Sequence, residues 1–141
     1  MGQQQLLLVI LVTIVVGVAA VVAINTFSNS SENANQDAVR NDLGAIALSS
    51  QAYYMRPSML GGGDKSFTGF TFEGIAFPGL VPEGAEDLVI SNENGTYTIT
   101  SAAGNELVIE GNPAQSNDVL LVATINPNEY SIEVTDADSG S

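Results

Sequence analysis

The first thirty-one residues contain no charged side chain; Glu32 is the first. Within that stretch Leu6–Ile24 is a run of nineteen residues broken only by Thr13, Gly17 and a few alanines. Nothing else in the chain so limits what it can become. As a helix at ~1.5 Å per residue the run is about 28 Å long, close to the ~30 Å hydrocarbon core of a bilayer. Fourteen of its residues are Leu, Ile or Val. Each favours the membrane centre by ~0.3–0.6 kcal/mol, so insertion gains several kcal/mol in total. Eleven are β-branched or threonine, which lowers helix propensity in water. In lipid, or in a bundle of like helices, unpaired backbone groups cost far more, and helix prevails.

A cleaved secretory signal would need a basic start and a shorter apolar core. Here Gly2-Gln3-Gln4-Gln5 replaces the basic stretch, so the segment is read as a retained part of the protein. The small residues Gly17, Ala19, Ala20 and Ala23 either let neighbouring helices approach closely, with Ala19 and Ala23 on one face, or merely dilute an anchor. The side chains expected to carry helix packing are Leu6, Leu7, Leu8, Ile10, Leu11, Ile14, Val15, Gly17, Val18, Ala19, Val21, Val22, Ala23 and Ile24.

Beyond Ile24 the helical pattern continues. Phe27, Ala34, Ala38, Ala45 and Ala52 recur at helical spacing, flanked by Val39, Ile46 and Tyr53. This predicts a nearly continuous helix from about Gln3 to Met55, loosened between Asn25 and Ser31, with the alanine stripe laid on a sheet. Pro57 ends it, and Gly61-Gly62-Gly63 reverses the chain. The organisation expected is thus helix over 1–56 (apolar 6–24, amphipathic 32–56), a Gly-rich loop over 57–65, a β head over 66–135 and a flexible tail over 136–141.

The head reads as short strands between turn signals. Ser66–Phe77 alternates aromatic and polar residues. Leu88–Ser91 and Thr96–Thr100 flank Asn92-Glu93-Asn94-Gly95, and Asn-Gly is a strong hairpin cue. Ala103-Gly104-Asn105 turns into Glu106–Glu110. Asp118–Ile125 and Glu129–Thr135 flank Asn126-Pro127-Asn128. Short connections imply an antiparallel sheet of about five strands. The fold class expected is α+β: one long helix carrying a small antiparallel head.

Charge narrows the partners. All sixteen acidic residues lie beyond Ser31, against Arg40, Arg56 and Lys65, for a net charge of −13. Such a surface repels phosphate backbones, which argues against nucleic acid. It suits a head kept soluble among copies of itself. There is no cysteine and no histidine, so thiolate metal sites and the usual general base are missing. Asp136-Ala137-Asp138 lacks the later glutamate of a calcium loop. Glu83, Glu86 and Asp87 form at best a weak cation cluster. Gly61–Gly63 before Asp64-Lys65-Ser66 has the wrong spacing for a phosphate loop. Tyr53 and Tyr54 read as core packing. No enzyme activity, cofactor or metal is expected. Asn29-Ser30-Ser31 and Asn94-Gly95-Thr96 match the glycosylation sequon, so a surface glycan is weighed at Asn29 and Asn94.

Gly2 followed by Leu6–Ile24, with the amphipathic continuation through Gln51-Ala52-Tyr53-Tyr54, resembles the type IV pilin and pseudopilin superfamily. The likeness of architecture spans nearly the whole chain, while its sequence motif is confined to the first thirty residues. That family carries a glutamate early in the apolar helix; Gln3, Gln4 and Gln5 stand there instead. The resemblance implies copies that leave a membrane and pack their apolar helices into a central bundle walled by the heads. The function it implies is a structural subunit of a homopolymeric extracellular filament at the cell surface. The alternatives are a minor pseudopilin of a secretion or uptake machine and a single-pass anchored extracellular binding domain.

Overall fold

The computed structural model describes residues 2–140; Met1 and Ser141, with their share of the helix and tail expectations, lie outside the described residues. Helix α1 runs over Gly2–Met55, and five strands follow: β1 (Val89–Ser91), β2 (Gly95–Ala103), β3 (Glu106–Pro113), β4 (Val119–Ile125) and β5 (Tyr130–Asp136). The architecture is α+β, as the pattern predicts. The chain divides into two compact units, one ending at Asn33 and the other running from Ala34 onward.

No break occurs in α1 at Asn25–Ser31, and no fresh helix starts at Ser31. Asn, Ser and Thr each cost only a few tenths of a kcal/mol against alanine. A helix already formed on both sides absorbs that, because propagation is much cheaper than nucleation. The helix ends at Met55 as Pro57 predicts, and the following loop satisfies its last carbonyls. Arg56 N–H donates to the Ala52 carbonyl (3.1 Å), Gly63 N–H to that of Tyr53 (2.9 Å) and Lys65 N–H to that of Tyr54 (2.8 Å). Only glycine fits at 63, since a Cβ there would sit 2.1 Å from the Ser66 carbonyl oxygen. Gly61–Gly63 is a helix cap.

In the second unit the sheet is a meander in which strand order follows chain order, all antiparallel. The inner face is the period-two set Tyr97 and Ile99, Leu107 and Ile109, Leu121, Ala123 and Ile125. A bulge between Ile99 and Ser101 adds one residue and turns Ala102, opposite Leu107, back toward the core. Val39, Leu43, Ile46 and Ala47 of α1 close this face. Contact is tightest at Gly111, where an added Cβ would lie 2.9 Å from Val39 Cγ1 and 3.1 Å from Leu43 Cδ1. The helix therefore crosses β3 where the strand has no side chain.

Two expectations need correction. The alanine stripe is not the buried face: Ala34, Ala45 and Ala52 are exposed and Ala38 is half-buried. The neighbouring stripe of Val39, Leu43, Ile46 and Ser50 is buried instead. Larger apolar side chains remove more area from water at ~25 cal/mol per Å², so the helix turns them inward. Residues 66–77 form no strand. Gly69 has φ +80°, and the backbone turns through a 3-10 segment at Phe72–Gly74. Phe67, Phe70 and Phe72 are nonetheless buried, as plugs over one end of the core. Tyr53 meets Phe70 edge-on at 5.1 Å, and Tyr54 stacks tilted on Phe67 at 4.9 Å. Beyond the expected end of the head at 135, the structure continues one residue further into β5. Asp136 pairs with Val119 in β5, and Ala137 N–H donates to the Asp118 carbonyl (3.0 Å). Ala137–Gly140 then forms a 3-10 turn.

Candidate assembly surface and the clamp in the head

The first unit offers one surface, that of α1 itself. Every residue from Gly2 to Ser30 is solvent-exposed. The large apolar side chains of Leu6–Ile24 are each at least half exposed, from 51% at Val12 to 69% at Ile24. The side chains expected to carry helix packing all lie on this helix, distributed around its circumference rather than on one stripe. Its only hydroxyl in that run is already satisfied: Thr13 Oγ1 donates to the Val9 carbonyl (2.7 Å), four residues back. A Cβ on Gly17 would touch nothing within 4 Å, so a notch is open there for a neighbour. The segment is long and apolar enough to cross a membrane, and none of it is buried in the structure. It is compatible with a membrane anchor. A helix apolar all round is stable only where something apolar surrounds it.

The second unit owes its shape on the helix side to a polar clamp that the sequence does not advertise. Asp42 lies on the flank of the buried stripe. Its Oδ2 accepts from Tyr97 OH (2.5 Å), Asn92 Nδ2 (2.9 Å) and Asn94 Nδ2 (2.9 Å). Asn92 Oδ1 in turn accepts the N–H groups of Asn94 (2.9 Å) and Gly95 (3.2 Å), which shapes the β1–β2 turn. One helical turn and more away, Asn35 Nδ2 donates to the Asn94 carbonyl (2.8 Å) and its Oδ1 accepts from Gln115 N–H (3.0 Å). Gln51 Nε2 donates to the Asn126 carbonyl (3.0 Å) at the β4–β5 turn. Three residues of α1 thus hold three turns of the sheet. Among the described residues no buried side-chain polar atom lacks a partner.

Tyr97 is fully buried. Burial first, then its hydrogen bond to Asp42 and the charge of that carboxylate, push its phenol well above the ordinary tyrosine range. A folded-state pKa raised above the unfolded value of about 10 gives stability that is complete below pH 10 and is lost as pH rises beyond it. Alkaline titration of the detergent-solubilised chain is therefore expected to show cooperative unfolding above pH ~10, shifted upward in Tyr97→Phe. An unfolding profile identical in the two proteins would remove Tyr97 as the cause.

The sequon asparagines occupy unlike places. Asn29 is exposed on unbroken helix. Asn94 is not at an exposed hairpin tip; it is half-buried, and its Nδ2, the atom a glycan would take, is engaged by Asp42. Glu83 and Glu86 are solvent-facing or nearly so, and Asp118, Asp136 and Asp138 border one open depression with Asn117. Among the described residues no group of three or more such side chains is arranged to hold a metal.

No family model, curated protein or solved structure matches this chain. What it does has to be argued from the two units themselves.

Proposed function

We propose that the chain is a structural, pilin-like subunit of an extracellular filament, built from copies of itself. One observation carries this reading. The head closes its own core, whereas the helix from Gly2 to Ser30 buries nothing and carries no charge. A simple anchor ordinarily keeps Lys or Arg beside the bilayer to fix its orientation, and none stands within the first thirty-one residues. Sister helices satisfy the apolar surface after the chain leaves the lipid, and close contact at Gly17, Ala19 and Ala23 replaces lipid contacts with packing. The acidic heads form a soluble outer wall. The resemblance to type IV pilins supports the same arrangement, and the role is non-catalytic.

Electron microscopy of material sheared from cells expressing the full chain tests this directly. Long uniform filaments with a dense helical core are the expected result. Membrane-bound monomers alone would leave an anchored binding domain, and short stubs a minor pseudopilin.

The same reading fixes how filaments come apart. Apolar packing dominates the core, so a non-ionic detergent is expected to dissociate them at concentrations where molar salt does not. Dissociation by salt with resistance to detergent would place the main cohesion in charges between heads.

A further inference from the structure

The head is acidic almost everywhere, and its few cations are not scattered. Arg40 pairs with Asp37 across one helical turn (3.7 Å). The other two, Arg56 and Lys65, are exposed on the helix-exit loop, which also carries the exposed apolar side chains Met59 (94%) and Leu60 (71%). Asp64 N–H donates to the Arg56 carbonyl (3.0 Å), which brings the two ends of the loop together. Residues 64 and 65 both have positive φ, 49° and 66°, so the turn carrying Lys65 is held in a conformation non-glycine residues seldom adopt. The result is one compact loop carrying two cations, the single carboxylate Asp64 and two exposed apolar side chains.

At the far edge of the sheet stands its counterpart. Among the described residues β5 pairs with β4 alone, so its outer edge is open there. Glu133 is exposed on the outer face of β5, with Glu129 in the turn just before the strand, while Tyr130 (42% exposed) and Val134 (50% exposed), paired with the buried Ile125 and Leu121, lie on the helix-facing side of the same strand. The exit loop is pinned over the β2–β3 turn by Phe67 N–H to the Gly104 carbonyl (2.8 Å) and Tyr54 OH to Asn105 Oδ1 (3.1 Å). From β2 to β5 is three strand spacings, about 14 Å.

We propose that the exit-loop surface of one copy (Arg56, Lys65, Met59, Leu60) docks on the β5 edge of the next (Glu129, Glu133, Tyr130, Val134). This rests on the filament reading above and says how neighbouring heads meet. Like-with-like pairing is disfavoured on both surfaces: two β5 edges set carboxylate against carboxylate, and two exit loops set cation against cation. Loop on edge sets the two cations against the two carboxylates and places Met59 and Leu60 beside the edge strand. Because the two surfaces differ, the contact is head-to-tail, and such contacts propagate into open polymers rather than closing as a dimer. The glutamates also keep β5 from uncontrolled strand pairing, so the edge is reserved for a cationic partner.

Charge reversal in the full chain tests it. Arg56→Glu with Lys65→Glu is expected to shorten filaments by about threefold or more, the scale of exposed pairs turned from attraction to repulsion. Glu129→Lys with Glu133→Lys should do the same, and the four changes together should restore length. Reversal at Glu83 and Glu86 should leave length unchanged. Thermal melting of each variant in detergent checks that the head still folds. Wild-type filaments whose length ignores both double reversals overturn the docking and leave the filament standing. So does a fourfold variant that folds but stays short, or one whose rescue comes from Glu83 and Glu86 instead. No filaments from the unaltered chain would overturn both readings.

Discussion

Val15→Glu or Val18→Glu is expected to abolish filament assembly. Both valines lie mid-helix and are about three-fifths exposed in the single chain. In a helical bundle that exposure becomes burial. A charged side chain at the centre of an apolar segment costs about 2.5–3.5 kcal/mol on insertion scales, and these neighbours offer no partner. The cost recurs in every subunit, so an effect modest for one molecule becomes decisive for a polymer. Val15→Leu keeps the apolar surface and should assemble normally. The readout is filament mass per cell by electron microscopy, alongside membrane-bound chain by fractionation. Normal filaments from either glutamate variant would refute the packed-helix core.

Asp42→Ala is expected to have the largest effect within the head. It strands three donors at once, and one of them, the Tyr97 hydroxyl, belongs to a fully buried residue. A buried donor left without its acceptor costs about 1–3 kcal/mol, more where the lost partner was charged. With the two asparagines counted, the loss is about 2–4 kcal/mol. For a head of this size that lowers Tm by about 10 °C or more. Asp42→Asn keeps one acceptor oxygen and should lose less. Thermal unfolding in detergent, followed by tyrosine circular dichroism, measures both. A change below ~0.5 kcal/mol for the alanine variant would mean that the clamp is ornamental.

Much of this could be read from the residues, for reasons that differ element by element. Leu6–Ile24 was unambiguous because nineteen residues of one character leave no alternative. The hairpins at Asn92–Gly95, Gly104–Asn105 and Asn126–Glu129 were legible because turn residues have few other uses. The helix face was not, because two adjacent stripes share one spacing. Alanine recurrence marked the wrong one, and Leu43 decided the matter by size. Phe67, Phe70 and Phe72 imitate strand alternation, and only their backbone partners distinguish plug from strand. Asp42 could not be found in sequence, since its three partners lie fifty and more residues away. Leu6–Ile24 was foreseen as an apolar helix; the separation of the exit loop from the β5 edge was invisible until strand order placed them apart.

The meander has a consequence for how the head is made. Each strand pairs with the one synthesised next to it, across connections of two to five residues. Closing loops that short takes well under a microsecond, so the sheet zips from local steps without threading. The slow search is left to a single event, the docking of residues 34–55, whose clamp reaches eighty positions along the chain from Asn35 to Gln115. Folding rate is then set by that one long-range docking step rather than by the strands.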